Sequence, residues 1–184
     1  MVPEKQKEFA KNLQGTTSGR YIILYLTIIG IIGGDEIKKE AQAKFGRPDY
    51  SPSKQYPIKE EAEIMIYAVE QGVSAERLGK SVPKTFLRNH PDVIKGITRE
   101  NILDFFVAAW DSENESAKKT IEILERGPNR AVLARKFNPL PCDFFKGAIL
   151  GLFELINVPC QCHEIKCHWQ DPSQNACVYE LIWE

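Results

Sequence analysis

Cysteine is missing from the first 141 of the 184 residues. Metal ligation by thiolates, or disulfide formation, is therefore confined to the last quarter of the chain. Histidine and methionine are scarce, with three and two copies. No nucleophile–base motif can be read around the histidines. Excess charge is missing as well. Twenty-four cations face twenty-five anions for a net charge of -1, which removes the electrostatic case for a nucleic-acid partner. The densest basic stretch, Arg130 to Lys136, interleaves its cations with apolar residues and reads as an exposed strand edge. The opening Met1-Val2-Pro3-Glu4-Lys5 begins no apolar run of signal-peptide type. The longest apolar stretch, Tyr21 to Ile32, is too short to span a bilayer, which takes about 20 residues. Gly30-Ile-Ile-Gly33-Gly34 lacks the spacing of a phosphate-binding loop and reads as a helix junction.

Length and an ordinary hydrophobic content of 43% suit one domain over residues 1–184 with a proper core. Residues 1–16 read as a short helix or a loose arm. Ser18 to Gly30 is apolar on all sides and is expected to be a buried helix, followed by a second helix from Asp35 to Lys44. Pro57 opens the next helix, in which Ile58, Ala62, Met65, Ile66 and Val69 share a face and Glu60, Glu61 and Glu63 favour the positive end of the dipole. Ser74 caps a helix running towards Leu87, with a kink or break expected at Pro83. Thr98 caps one carrying Ile102, Phe105, Phe106 and Ala109. These helices make up a layer over residues 17–115.

From residue 116 the period shortens. Ile121 and Ile123, the turn Gly127-Pro128-Asn129 and the stretch Ala131 to Phe137 read as a hairpin. A strong helix from Cys142 to Leu155 follows. Gly147 and Gly151 lie one turn apart there and admit a close backbone. Cys160–Cys167 and Cys177–Trp183 are the last two strands. The expected class is α+β: a helical layer packed on a four-stranded antiparallel sheet with one inserted helix. Phe86, Phe105, Phe106 and Trp110 are most simply core, or the lining of a pocket between helices and sheet.

The chemistry is concentrated in Cys142, Cys160, Cys162, Glu164, Cys167 and Cys177. A cytoplasmic setting is expected, and its reduced thiols favour metal ligation over disulfides. Five cysteines also cannot all pair. A hairpin brings Cys167 and Cys177 together, and Cys142 at a helix start can point a thiolate at them. Three thiolates and the Glu164 carboxylate would close a tetrahedral, structural zinc shell. A shell with Cys162 in place of Glu164 is the alternative. His163 and His168 read as rim residues.

The run Cys142-Asp-Phe-Phe-Lys-Gly147-Ala-Ile-Leu-Gly151, with Glu164-Ile-Lys-Cys167 and Cys177-Val-Tyr-Glu-Leu-Ile-Trp183, resembles the 4-vinyl reductase domain. That domain occurs in bacteriochlorophyll-synthesis proteins and in the sensor modules of aromatic-responsive transcription activators. Its wider superfamily includes the haem–nitric-oxide sensors and the TRAPP trafficking subunits. The resemblance implies a structural zinc on Cys142, Glu164, Cys167 and Cys177. It also implies a hydrophobic ligand (tetrapyrrole, aromatic or acyl chain), a homodimer, and a protein partner that takes the output. The alternatives it leaves are a reductase or accessory protein in chlorophyll vinyl-group reduction, and a zinc-stapled interaction domain without ligand. No nicotinamide or flavin fingerprint supports catalysis. His90, in Arg88-Asn-His-Pro-Asp92, is a haem-ligand candidate, but the Tyr-x-Ser-x-Arg that holds haem propionates in those sensors is missing downstream, so haem is not expected.

Overall fold

The computed structural model describes residues 1–88, 94–112, 120–136, 139–171 and 173–184, with backbone alone for 110–112. His90, Phe137 and Pro172 lie outside the described residues, as does the side chain of Trp110.

Residues 1–16 are not a loose arm. Glu4–Lys11 forms α1, held down by the Gln6 amide, which donates to the Leu140 carbonyl, and by Phe9 against Trp169 at 5.3 Å between ring centroids. Thr16–Ser18 is a short strand, β1, paired antiparallel with β2 at Gln55–Pro57. Three-residue strands carry too little periodicity to be seen in sequence. Ser18 also caps α2, Gly19–Gly33, its hydroxyl accepting from Arg20 N–H. The all-round apolarity of α2 has a structural cause. Ile22, Leu26, Ile28 and Ile29 fill core while Tyr21 and Leu24 face a cavity.

Gly34 follows with φ 95°, a left-handed conformation that glycine adopts without steric cost, and turns the chain into α3, Asp35–Phe45. Helix α4 spans Ile58–Glu70 and α5 spans Ala75–Leu87, the latter capped by Ser74, whose hydroxyl accepts from Arg77 N–H. Helix α5 runs unbroken across Pro83. Helix α6, Ile102–Ser112, begins one turn after the Thr98 start expected from sequence.

Strands β3 (Ile121–Arg126), β4 (Arg130–Arg135), β5 (Cys160–Lys166) and β6 (Cys177–Trp183) form an antiparallel sheet in the order β3-β4-β6-β5, with α7, Cys142–Leu155, inserted between β4 and β5. The basic stretch is therefore not an edge: β4 is central, and Arg135 is only 4% exposed. Arg130 does face solvent, between Glu125 and Glu180. The α+β expectation is met.

Helices α5 and α7 cross with their backbones in contact. A methyl group added at Gly79, Gly147 or Gly151 would overlap backbone atoms of Phe144, Glu76 or Lys80. Ion pairs Lys84–Glu154 and Lys146–Glu76 decorate the crossing, but exposed pairs contribute little and the contact itself sets the geometry. Two apolar clusters result. One lies among α1–α5 and takes in Phe144 of α7, and the other lies among Leu87 of α5, α6, α7 and the sheet. No helix among the described residues is long and apolar enough to cross a membrane.

Candidate metal centre and ligand cavity

Pro141 precedes Cys142 and leaves it as the first residue of α7, where the helix's unpaired N–H groups favour a thiolate. Cys177 opens β6 on its inward face, in register with Arg135 of β4. Glu164 and Cys167 are three apart, which in a regular strand would send them to opposite faces. A register irregularity between Glu164 and Lys166 breaks that alternation. Beyond it, the Cys167 carbonyl accepts from Gln170 and Asp171 N–H and folds the chain back.

These residues converge. Cys142 Sγ lies 3.8 Å from Cys167 Sγ and 3.7 Å from Cys177 Sγ. With a carboxylate oxygen of Glu164, the four donor atoms all fall within 4.8 Å of one another. A disulfide would need about 2.05 Å, and all five cysteines are free. Zinc–thiolate bonds of about 2.3 Å, arranged tetrahedrally, place sulfurs about 3.8 Å apart. Glu164 Oε1 is buried with no hydrogen-bond partner, a costly state for a carboxylate that a cation would relieve. The donor set thus fits a metal ion, and three sulfurs with one oxygen suit zinc. Hydrogen bonding couples the Cys142–Cys177 pair: Cys142 is pushed far up, first by that bond and then by burial, while Cys177 is drawn down to about 7.

The remaining thiols stay apart. Cys162 packs in the sheet-side core and Cys160 beside it, and burial pushes both to about 12. His163 is exposed beside Gln161, and His168 Nδ1 bonds the Gln174 carbonyl. Neither joins the cluster.

A cavity of about 460 Å³ lies between the helices and the sheet. Phe9, Tyr21, Phe86, Phe105, Phe106 and Leu152 make most of its wall apolar and aromatic. The sequence offered Phe86, Phe105 and Phe106 as core or as pocket lining and gave no such place to Phe9 or Tyr21. Sequence reasoning missed the polar part of the lining altogether: Gln14, Thr17, Glu61, Thr120 and Arg135. Arg135 lies over the Phe145 ring at 4.6 Å, and that ring packs on Tyr179 at 4.8 Å. Tyr179 in turn is paired with Glu164 across the sheet. One side-chain row therefore leads from the cavity wall to the cysteine cluster.

Glu61 sits deep in the fold but keeps some surface towards the cavity. Burial lifts its carboxyl to about 7, against the opposing Thr17 hydrogen bond and Arg135 charge. The unfolded chain releases this proton near 4.5 and the folded chain holds it to about 7, so stability falls as pH rises through that window, by about 1–3 kcal/mol. Glu61→Gln is therefore expected to raise the melting temperature at pH 8 and to change it little at pH 4.5. Thermal melts at the two pH values check this, and an equal effect at both would refute it.

An apolar cavity walled by helices and sheet, together with a Cys3Glu cluster that can hold a metal, characterises this α+β fold. Solved structures share its fold. An H-NOX protein from S. oneidensis in the Fe(II)NO ligation state matches with TM-score 0.70 at 14% identity, over 91% of this chain and 99% of that one. A mutant of T. tengcongensis H-NOX gives TM-score 0.70 at 14% identity, over 91% and 97%. The Fe(II) unliganded H-NOX protein from K. algicida gives 0.68 at 12%, over 91% and 96%. The fold is the one these H-NOX structures share. No protein-family model and no curated sequence matches the chain.

The described part of the cavity wall supplies no haem axial ligand. Among the described residues it carries no histidine, cysteine or methionine, the common axial ligands. Burial pushes the Tyr25 phenol well above its usual range, which disfavours a phenolate ligand.

Proposed function

We propose that this chain is a sensor or carrier domain of the 4-vinyl reductase type. It binds an apolar small molecule in the cavity, and a structural zinc on Cys142, Glu164, Cys167 and Cys177 fixes one wall. The observation that carries this reading is the 460 Å³ cavity with its aromatic lining, within the size range of small-molecule pockets. The zinc supports the wall by joining the start of α7 to the terminal hairpin. Helix α7 gives Ala148 and Leu152 to the cavity, and Cys142 of the same helix lies at the metal. With four protein donors no coordination position stays open, so the ion holds structure. Tetrapyrrole, aromatic and acyl-chain ligands all meet the apolar requirement. Output passes to a protein partner, and the working form is a homodimer in the cytoplasm.

Native mass spectrometry of freshly purified protein tests all three components. The expected result is one zinc per chain, a retained apolar molecule and a dimer. A chain that carries no metal and takes up no apolar probe would overturn the reading.

A further inference from the structure

Glu61 lies in the first turn of α4, where a carboxylate is ordinarily explained by the helix dipole. Its position gives it a different task. Thr17 Oγ1 donates to Glu61 Oε2 at 2.6 Å. Among the described residues nothing donates to Oε1, and the residue keeps surface open to the cavity. A carboxylate held by one donor inside an apolar chamber is costly until a second donor reaches it. The charged and titratable groups facing it are Tyr25 from α2 and Arg135 from β4, with the Thr17 hydroxyl from β1.

We propose that Glu61 reads the ligand's head group: the cavity takes an apolar molecule bearing a hydroxyl, and that hydroxyl donates to the open Glu61 oxygen. This rests on the cavity reading above and narrows its ligand class. The surroundings exclude the other simple head groups. Arg135 and ionised Glu61 oppose each other, so an ammonium or a carboxylate meets one attracting and one repelling charge and gains no net compensation for leaving water. An ether cannot donate. A hydroxyl donates to Glu61 and needs no charge of its own. Thr17 holds Glu61 in place and is a positioning residue. Because burial lifts Glu61 to about 7, the acceptor is fully ionised only above neutrality.

The test uses two fluorescent probes with one skeleton, 1-pyrenemethanol and 1-(methoxymethyl)pyrene, titrated into the full chain. At pH 8 the alcohol is expected to bind about tenfold tighter than the ether, because only it can donate to the carboxylate. That ratio is expected to shrink at pH 6, where Glu61 holds its proton. Glu61→Leu should bring the ratio within about twofold of one at both pH values while the ether's own affinity holds. Equal binding of the two probes by the unaltered chain overturns the proposal, whatever the variant does, and so does a ratio that survives in Glu61→Leu. If both bind equally, the cavity reading stands and the head-group reading falls. If neither binds, both fall.

Discussion

Cys167→Ala is expected to release the metal and to lower the melting temperature by roughly 10 °C or more. Three donors remain in that variant, and one is Glu164, whose Oε1 has no other partner. Binding energy of a structural zinc is folding energy. Losing it leaves Cys142 and Cys177 crowded beside the half-buried Glu164 carboxylate with no cation between them. A cost of about 3–5 kcal/mol is a fraction of the roughly 10–16 kcal/mol that a structural zinc supplies, and each kcal/mol is worth about 2–4 °C in a chain of this size. Cys160→Ala is the matched control. That thiol lies outside the cluster, so metal content should stay at one per chain and the melt within a few degrees. Elemental analysis with calorimetry checks both. A Cys167→Ala protein that keeps stoichiometric metal would remove this residue from the ligand set.

Gly147→Val carries the largest expected loss of stability, more than about 4 kcal/mol, enough to deplete the folded state. Its new side chain would meet the backbone of Glu76, and backbone cannot swing aside as a side-chain tip can. Separating α5 from α7 to make room would open the seam at Gly79 and Gly151 too, because all three glycines lie on one crossing. Gly34→Ala provides the contrast. Nothing lies near a methyl added there, and its φ of 95° sets the cost at about 1 kcal/mol. Chemical denaturation of both variants separates a packing penalty from a conformational one. A Gly147→Val protein as stable as the parent would show that the helices do not cross at this contact.

The helices and the first hairpin of the sheet were legible because their signals are local: Ser18 and Ser74 at helix starts, Gly127 at a hairpin turn, Gly147 and Gly151 at helical spacing. The convergence of Cys142, Glu164, Cys167 and Cys177 was expected through the family resemblance, and the irregularity in β5 that reorients the chain between Glu164 and Cys167 left no mark in the sequence. Arg135 was misplaced at an edge because strand order cannot be read from a single strand. Glu61 was explained by its helix position because its other neighbours, Thr17 and Arg135, come from 44 residues before it and from a different sheet. Pro83 did not break α5, whose close packing against α7 outweighs one lost hydrogen bond.

The chamber between the two apolar clusters has a thermodynamic consequence. A guest seated there would give the lining atoms neighbours on the side that faces the chamber. On the ligand-binding reading proposed above, resistance to heat tracks the supply of that guest, rising by about 2.7 kcal/mol at a hundred times its dissociation constant. Protein made in a cell that lacks the guest will melt earlier than the same protein made in one that has it.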